Sequence, residues 1–319
     1  MRKTIDPSFL TKVLILTFLL LALAGIYSLS ARADLTVGAT REIPDGKLDY
    51  TPAVSDLSPE SGQYAPRIPL EVLPGPAGQA PSLALVYSAK RPNGPLGAGW
   101  GLSFESSIER KSKYGGIAQM SADDTFWIDG EELIEVKDGT YRTEQNDFTV
   151  FTKVTGSSGI TRWTALKDGF TRYYGMNAGA TGTLDANAIE YQDELSPSGT
   201  AVGTKEVRWY LSRTKTAFGV EVFYRYIIPE VRPNGGTSRR HLPDEIIYAE
   251  TSSGWNKVSF EYEARNDIRV SYANGPKRTE SQRLRSITVR QVPSTTAADA
   301  NVNPKRVFPI FSWLFKLSS

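Results

Sequence analysis

The chain has 319 residues, with 37 Lys and Arg, 35 Asp and Glu, a single His and no Cys. The absence of Cys excludes disulfide scaffolds, Cys-ligated zinc and iron–sulfur clusters, and a single His excludes a metal site with several His ligands in one chain. The formal net charge of +2 gives no argument for nucleic-acid binding, while 27 Gly, 19 Pro, 6 Trp, 15 Tyr and 13 Phe favour β structure with many turns.

The N-terminal segment has the three-part pattern of a secretory signal peptide. Basic residues up to Lys12 precede an apolar run, Val13–Ile26, and small residues at Ala31 and Ala33 follow it. The run is short for a transmembrane helix, which needs about 20 residues. We therefore expect a Sec-type signal peptide that is cleaved between Ala33 and Asp34, with an uncleaved membrane anchor as the alternative.

This leader, residues 1–33, determines the predicted location of the protein. Its basic residues exceed its acidic ones, so its removal turns the formal net charge of +2 slightly negative. The mature chain is expected to be secreted across a bacterial inner membrane, to the periplasm or the outside, and to contact a membrane only through an uncleaved leader. Because an exported chain without Cys has no disulfides, its stability must come from its core or from association with more polypeptide.

Residues 34–61 form a polar lead-in that contains several prolines and no sustained periodicity. After it, short strand-like runs alternate with turn signals, beginning with Ser82–Tyr87. Asp-Gly pairs at Asp129, Asp138 and Asp168 separate such runs. Asp-Gly favours the type I′ turn because both central residues of that turn need a positive φ. These pairs predict three tight hairpins.

The second half of the chain also consists of strand-like runs, which recur at about the 8–12-residue spacing of all-β proteins. Thr279–Leu284 is the one segment in which the pattern allows a short helix. Trp100, Trp163 and Trp209 are expected to fill the core. We predict an all-β fold of many short antiparallel strands and hairpins. The predicted strands are Val207–Ser212, Val220–Ile227, Glu245–Tyr248, Lys257–Tyr262, Ile268–Tyr272 and Ser286–Val292.

The motifs of common enzyme classes are missing from the sequence. It contains no Gly-x-Ser-x-Gly elbow, no Walker phosphate loop and no His-Glu-x-x-His. The glycines from Gly94 to Gly101 lack the following helix of a dinucleotide-binding turn, so we interpret them as a tight bend beside Trp100. His241 lies in a polar loop and is expected to be solvated. No catalytic, cofactor-binding or metal-binding residue is therefore predicted.

Paired carboxylates leave two weaker alternatives open. Two acids across a cleft could cleave a glycoside, but adjacent residues on a strand point to opposite faces. Oxygen ligands from Asp123, Asp124 and Asp129 could bind calcium, although the loop of an EF-hand is absent. We interpret all of these residues as turn and edge charges. The adjacent pairs are Asp123-Asp124, Glu131-Glu132 and Asp193-Glu194.

The segment that starts at Gly62 combines a Pro-Gly-Pro turn, a strand and a glycine-rich bend that ends at a Trp. This order resembles the N-terminal module of the Salmonella virulence plasmid 65 kDa B protein (SpvB) family, which also begins the B components of insecticidal toxin complexes and many Rhs/YD-repeat proteins. The looser part of the resemblance continues to Val292, so we predict an SpvB-like module over residues 62–292. The motif residues, to which we assign a structural role, are Pro74, Gly75, Pro81, Leu83, Tyr87, Gly97, Gly99 and Trp100.

The resemblance implies an architectural role and an all-β fold that is either part of an Rhs-type β shell or a sandwich-like module. In toxin-complex relatives the module adds strands to a hollow β shell, built with Rhs repeats, that encloses a toxic polypeptide and is docked by a β-propeller. The ADP-ribosyltransferase of the virulence-plasmid relative lies far downstream, and nothing in this sequence matches it. The implied protein is an exported, non-catalytic virulence module without a cofactor, and its partners are a downstream Rhs-repeat or propeller polypeptide or other toxin-complex subunits. The alternative is a secreted carbohydrate-binding or carbohydrate-active β protein.

Residues 293–319 fit the resemblance poorly. Their last part, Phe308–Leu317, is strongly apolar, and such a segment promotes association when it is exposed. One interpretation is a truncated or frameshifted gene product whose tail is foreign to the family. The other is a strand that pairs with a second polypeptide.

Overall fold

The computed structural model describes residues 64–75, 80–114, 118–156, 159–175, 186–195, 201–228, 241–251, 254–271, 278–293 and 306–309. Two units are distinguished, Met1–Asp45 and Gly46–Ser319, and all of the described residues belong to the second. The predicted leader, its cleavage site and the polar lead-in lie outside the described residues. In the part of the chain that is described, no helix is long and apolar enough to cross a membrane.

Nearly all of the regular secondary structure in the described residues is strand, which confirms the all-β prediction. A single 3-10 turn, Ala186–Ala188, interrupts them within the described residues. The first ten strands are β1 (Arg67–Pro69), β2 (Ala84–Tyr87), β3 (Trp100–Leu102), β4 (Ser107–Ser112), β5 (Asp124–Ile128), β6 (Glu131–Lys137), β7 (Thr140–Thr143), β8 (Val150–Thr155), β9 (Thr161–Lys167) and β10 (Phe170–Tyr174). The others are β11 (Ile189–Leu195), β12 (Ala201–Lys215), β13 (Glu221–Ile227), β14 (Leu242–Thr251), β15 (Gly254–Ser271), β16 (Arg278–Pro293) and β17 (Arg306–Pro309).

The strands form two sheets of different size. A small sheet has the order β1-β2-β3, and a 14-stranded sheet contains the rest. Within the large sheet, strands β4 to β10 follow one another as antiparallel neighbours, and β12 pairs with both β4 and β10. These strands therefore close a ring, while β13 to β17 continue from β12 as an open meander.

Strand β12 is shared by the ring and the meander. Its first half pairs with β11, with the register Glu190↔Arg208, and its last residues pair with β10, with the register Thr171↔Lys215. Strands β4 and β13 also pair with β12, at Arg208 and at Lys215 respectively. A long strand is needed here because it must offer hydrogen-bonding groups to four partners in turn.

The three Asp-Gly hairpins are confirmed by the backbone. Asp129, Asp138 and Asp168 have φ values of 48°, 28° and 49°, and the glycines that follow them have φ values of 102°, 77° and 74°. Positive φ at both central residues is the signature of the type I′ turn, whose twist matches that of the flanking strands. These turns connect β5 to β6, β6 to β7 and β9 to β10.

The interior of the ring is filled with aromatic side chains. Trp163 and Trp209 are buried, with relative exposures of 0% and 1%, and their ring centroids lie 5.9 Å apart. Phe126 contacts both, at 4.9 Å and 5.9 Å, and Tyr141 packs edge-on against Trp163 at 5.1 Å. Alternation along the strands places these residues on the inner face, so the ring encloses packed core. The predicted core role of Trp163 and Trp209 is confirmed, while Trp100 is only partly buried and packs against the same core.

The meander packs against the small sheet. Phe104, which follows β3, stacks on Tyr224 of β13 at 5.2 Å and contacts Phe260 of β15 at 5.8 Å. The Tyr248 hydroxyl of β14 donates to the Leu73 carbonyl at 2.8 Å. The two sheets thus share one hydrophobic core, in which buried side chains from both are in contact.

The strand-like runs Lys257–Tyr262 and Ile268–Tyr272 are confirmed as strand up to Ser271, and Tyr272 lies outside the described residues. Both runs belong to one strand, β15, whose pairing with β16 is interrupted by an irregularity between Ala264 and Arg269. One local prediction in this half is wrong. Thr279–Leu284, where a short helix was allowed, lies in strand β16. Long-range pairing with β15 overrides the modest helix propensity of these residues.

Candidate functional site

Four of the family-motif residues, Tyr87, Gly97, Gly99 and Trp100, lie at or beside the bend between β2 and β3. We name this bend the glycine–tryptophan loop (residues 93–100). Gly97 and Gly99 have φ values of +94° and +80°, which L side chains rarely adopt. A Cβ atom at Gly99 would overlap the Tyr87 ring, which itself packs edge-on against Trp100 at 5.4 Å. The predicted tight bend is confirmed, and its shape depends on glycine at residue 99.

A buried arginine anchors this loop to the long hairpin of β15 and β16. Arg265 has a side chain that is 4% exposed, and it donates to the Gly94 carbonyl at 3.1 Å and to Asn93 Oδ1 at 3.2 Å. The Leu284 backbone N–H of β16 donates to the Pro95 carbonyl at 2.8 Å. The same guanidinium donates to Asp267, which lowers the pKa of that carboxyl to about 2.

The other motif residues lie where the chain enters and leaves the small sheet. The Pro74 carbonyl, next to Gly75, accepts a hydrogen bond of 3.1 Å from Asn256 Nδ2 of β15. Pro81 and Leu83 are buried at the start of β2. The motif and its loop therefore supply two of the contacts that fix the small sheet to the meander, in addition to the Tyr248–Leu73 hydrogen bond. Sequence analysis missed Arg265 and Asn256, because both act across more than 170 residues and belong to no local pattern.

A second polar cluster lies at the junction between the ring and the meander. Glu190 of β11 is fully buried, and it accepts a hydrogen bond of 3.0 Å from the Tyr210 hydroxyl. Arg208 lies beside the same carboxylate at 3.7 Å and pairs with Glu109 of β4 at 2.9 Å. Buried charges need partners, and one guanidinium here serves two carboxylates from different strands. The cluster therefore joins β4, β11 and β12.

His241 belongs to this junction and is buried, so the expectation of a solvated histidine is wrong. Its side chain is 6% exposed, its ring stacks on Tyr210 at 5.4 Å, and its Nδ1 lies 2.6 Å from the Asn187 carbonyl. The reason is its position directly before β14, because the pairing of β14 with β13 brings His241 next to Tyr210 of β12. At this distance Nδ1 donates to the Asn187 carbonyl, so the imidazole is both packed and hydrogen-bonded.

The carboxylates that were considered as calcium ligands do not converge. Asp124 accepts from Arg110 Nε at 2.9 Å, and Asp123 pairs with Lys113 at 2.6 Å. Asp129, at the other end of β5, accepts from Ser106 Oγ at 2.7 Å. Since a strand rises about 3.3 Å per residue, Asp129 lies roughly 16 Å from Asp124. Among the described residues, no three His, Asp or Glu side chains are grouped to hold a metal ion.

Burial also changes titration inside the ring. Burial raises the pKa of Tyr141 to about 12, and it lowers the pKa of Lys153, whose Nζ lies 4.4 Å from the centre of the Phe126 ring. Asp129 has a raised pKa for the same reason. These shifts follow from burial within packed strands.

The sequence of this chain matches one protein family over more than half of its length. The family described as Salmonella virulence plasmid 65kDa B protein matches residues 58–234, which include the small sheet, the ring and the shared strand β12. The chain belongs to this family. Membership of this SpvB family agrees with the resemblance that the motif residues showed. A search of curated proteins gave no match.

Solved structures share the fold of this family member at low sequence identity. The N-terminal domain of effector protein SpvB from Salmonella typhimurium strain LT2 matches with a TM-score of 0.52 and 19% identity, over 73% of this chain and 90% of that one. A TcdB2-TccC3 crystal structure matches with a TM-score of 0.57 and 17% identity, over 79% of this chain. A Photorhabdus luminescens Tc holotoxin pore matches with a TM-score of 0.55 and 17% identity, over 75% of this chain.

The lengths of these structures differ greatly. The chain spans only 14% and 13% of the TcdB2-TccC3 and holotoxin chains that it matches, but nearly the whole of the SpvB N-terminal domain. The fold is therefore that of a module which occurs both as a separate domain and as a small part of toxin-complex proteins.

Proposed function

We propose that this SpvB-family chain is an exported, non-catalytic structural module of a toxin-complex-type virulence protein. It contributes β strands to a shell that carries a toxic polypeptide. The observation that carries the proposal is the use of the motif residues: the glycine–tryptophan loop and Pro74 fix one sheet to another, and none of them forms a reaction site.

The packing of the ring supports a structural role. In its interior Trp163 contacts Trp209, Phe126 and Tyr141, so the strands surround a packed core. The buried Glu190 contacts Tyr210 and Arg208. Catalytic groups need access to substrate, whereas these side chains contact one another.

The partner in this proposal is a downstream Rhs-repeat or propeller polypeptide, or another toxin-complex subunit. The meander supports this, since it ends in the short strand β17, which is the last strand of the large sheet within the described residues. Sheet edges promote pairing with another chain. Export through a cleaved leader, residues 1–33, would bring the module to its partners outside the cytoplasm.

The test is co-expression of the full chain with the Rhs-repeat polypeptide encoded beside it. We expect a stoichiometric complex in the exported fraction, with the chain starting at Asp34 in N-terminal sequencing. The test variant is Arg265→Met, which releases the glycine–tryptophan loop and should weaken the complex. A chain that is exported alone, with no affinity for the polypeptide, would contradict the partner assignment, and a start at Met1 would contradict cleavage.

Carbohydrate binding, the alternative function, was expected to use aromatic side chains on the strands, and the tyrosines of the described strands β13 and β14 are buried. Tyr224, Tyr226 and Tyr248 are buried, with exposures of 6%, 5% and 1%, and the Tyr262 hydroxyl donates to the Pro243 carbonyl at 2.7 Å. Sugar binding by stacking needs exposed ring faces. A glycan array with the purified mature chain is expected to be negative, and saturable binding to any glycan would revive this alternative.

A further inference from the structure

Two basic side chains of β12 share a single carboxylate. Arg213 Nη1 lies 3.6 Å from Glu221 Oε1, and Lys215 Nζ lies 3.4 Å from the same oxygen. Charge-assisted N–H···O hydrogen bonds are usually about 2.7–2.9 Å long, so both contacts are loose. Within the described part of the chain, no second carboxylate forms an ion pair with either cation. The two positive charges are therefore compensated only in part.

Packing, rather than hydrogen bonding, holds the guanidinium of Arg213 in place. Its Cζ lies 3.9 Å from the centre of the Tyr173 ring in a cation–π contact, and its side chain is 11% exposed. Its Nε is buried and has no hydrogen-bond partner among the described residues. Removing a charged donor from water without giving it an acceptor costs free energy. A further carboxylate at the outer edge of this guanidinium would therefore add a stabilising partner to a group that is already oriented.

The same face of the sheet also carries apolar side chains. In the register, Arg213 lies between Tyr173 of β10 and Phe223 of β13, while Lys215 and Leu166 lie at one level on either side of β10. Phe223 is partly exposed, and Leu166 is 47% exposed. Side chains at paired positions of neighbouring strands share one face. We name this surface the basic patch and define it by Leu166, Tyr173, Arg213, Lys215 and Phe223.

The next group of charges on the sheet is more completely compensated. Arg225 Nη1 donates to Glu245 at 2.7 Å, and Lys257 Nζ lies 3.1 Å from the other oxygen of that carboxylate. The Asp244 carboxyl adds a second negative charge that interacts with both cations. That group has two carboxylates for two cations, whereas the cations of the basic patch have one between them. The basic patch is thus the better site for an additional anion.

We propose that the basic patch binds an acidic segment of a partner polypeptide. A carboxylate of the segment pairs with Arg213 and Lys215, and apolar side chains beside it cover Leu166 and Phe223. Small-molecule sites are concave, whereas the patch is one face of neighbouring strands, which suits a polypeptide. Complementary charges then fix the orientation of the segment. This inference adds the chemistry of the contact to the proposed function, on which it rests for the identity of the partner.

The experiment measures fluorescence anisotropy of a short fluorescein-labelled oligoglutamate peptide with the purified full chain at low ionic strength. An oligoglutamine peptide of the same length is the matched probe. We expect binding of oligoglutamate and none of oligoglutamine, with an affinity that falls as salt is added. Arg213→Gln with Lys215→Gln should weaken binding about tenfold. Glu221→Gln should strengthen it about two- to fivefold, because it removes the competing carboxylate of a partly exposed ion pair.

The single variant Lys215→Gln covers the case in which the loss of Arg213 impairs folding. The Lys215 side chain is 45% exposed, so its replacement leaves the packed guanidinium on Tyr173 in place. This variant should remain folded by circular dichroism and weaken binding of oligoglutamate about two- to fivefold.

The matched control removes two positive charges outside the basic patch. It is Lys113→Gln with Arg283→Gln, whose side chains pair with Asp123 at 2.6 Å and with Glu263 at 2.7 Å. Its net charge equals that of the double variant of the patch, and it should bind oligoglutamate like the unmodified chain. A local site is thereby distinguished from the general charge of the protein.

The proposal fails if the unmodified chain does not bind oligoglutamate, if the folded control loses as much affinity as the patch variants, or if Glu221→Gln leaves the affinity unchanged. These results concern the basic patch alone, since the probe is a peptide and no Rhs-repeat polypeptide is present. A chain that binds oligoglutamate at the patch but forms no complex with the Rhs-repeat polypeptide would contradict only the proposed function.

Discussion

Replacing Arg265 with Met should release the glycine–tryptophan loop while the strands around it stay folded. The substitution keeps the apolar stem of a side chain that is 4% exposed, but it removes the donors to Gly94 at 3.1 Å and to Asn93 at 3.2 Å. A hydrogen bond from a charged donor contributes about 1.5–3 kcal/mol. The Gly94 carbonyl keeps the Gly97 N–H at 3.0 Å, and Asp267 is 67% exposed, so the loss of that ion pair adds little.

We therefore expect Arg265→Met to lower the free energy of unfolding by about 2–3 kcal/mol. The assay is urea unfolding of the mature chain, followed by Trp fluorescence, together with hydrogen exchange at residues 93–97. The control is Arg225→Met, which removes an ion pair to Glu245 from an arginine that is 50% exposed and should cost less than about 1 kcal/mol. Equal losses for the two variants, or unchanged exchange in the loop, would refute the anchoring role.

Three further changes test other parts of the fold. Gly99→Ala should lower the free energy of unfolding by about 2 kcal/mol or more in thermal melts, because φ is +80° and the new methyl group overlaps Tyr87; unchanged melting would contradict the close approach. Trp209→Ala should cost about 3–5 kcal/mol in denaturant unfolding, because the side chain is 1% exposed and packs on Trp163; a loss under about 1 kcal/mol would mean that the ring is not packed. The Asp147 carboxyl accepts from Lys167 and Thr149, which lowers its pKa to about 2 from 3.8. Its contribution to stability is therefore complete above about pH 4 and is lost as the pH falls toward 2. Asp147→Asn should flatten the stability-versus-pH curve in that window and leave the slope above it unchanged, and an unchanged acid slope would contradict this assignment.

Local features of the fold could be predicted because their causes are local. The Asp-Gly pair at Asp129 and its equivalents at Asp138 and Asp168 fix the turn type through backbone φ alone. The bend at Gly97 and Gly99 follows in the same way from glycine beside a bulky neighbour. Alternating burial along β9 likewise follows from a period of two.

Closure of the ring could not be predicted, because it depends on contacts between distant segments. The register Glu109↔Arg208 joins β4 to β12, and nothing near either residue encodes it. His241 was expected in solvent because its neighbours are polar, yet the pairing of β14 with β13 buries it. Arg265 gave no local signal either, since its partners are set by the folded position of the glycine–tryptophan loop.

Protease protection of the toxic polypeptide tests the proposed function most directly. The full chain is assembled with the proposed partner, an Rhs-repeat polypeptide that holds a toxic cargo, and the complex is digested beside the same partner and cargo without the chain. If the chain is part of the enclosing shell, the cargo should stay intact with the chain and be degraded without it. Cargo that is degraded at the same rate in both samples would contradict the role of this chain as a wall of the shell.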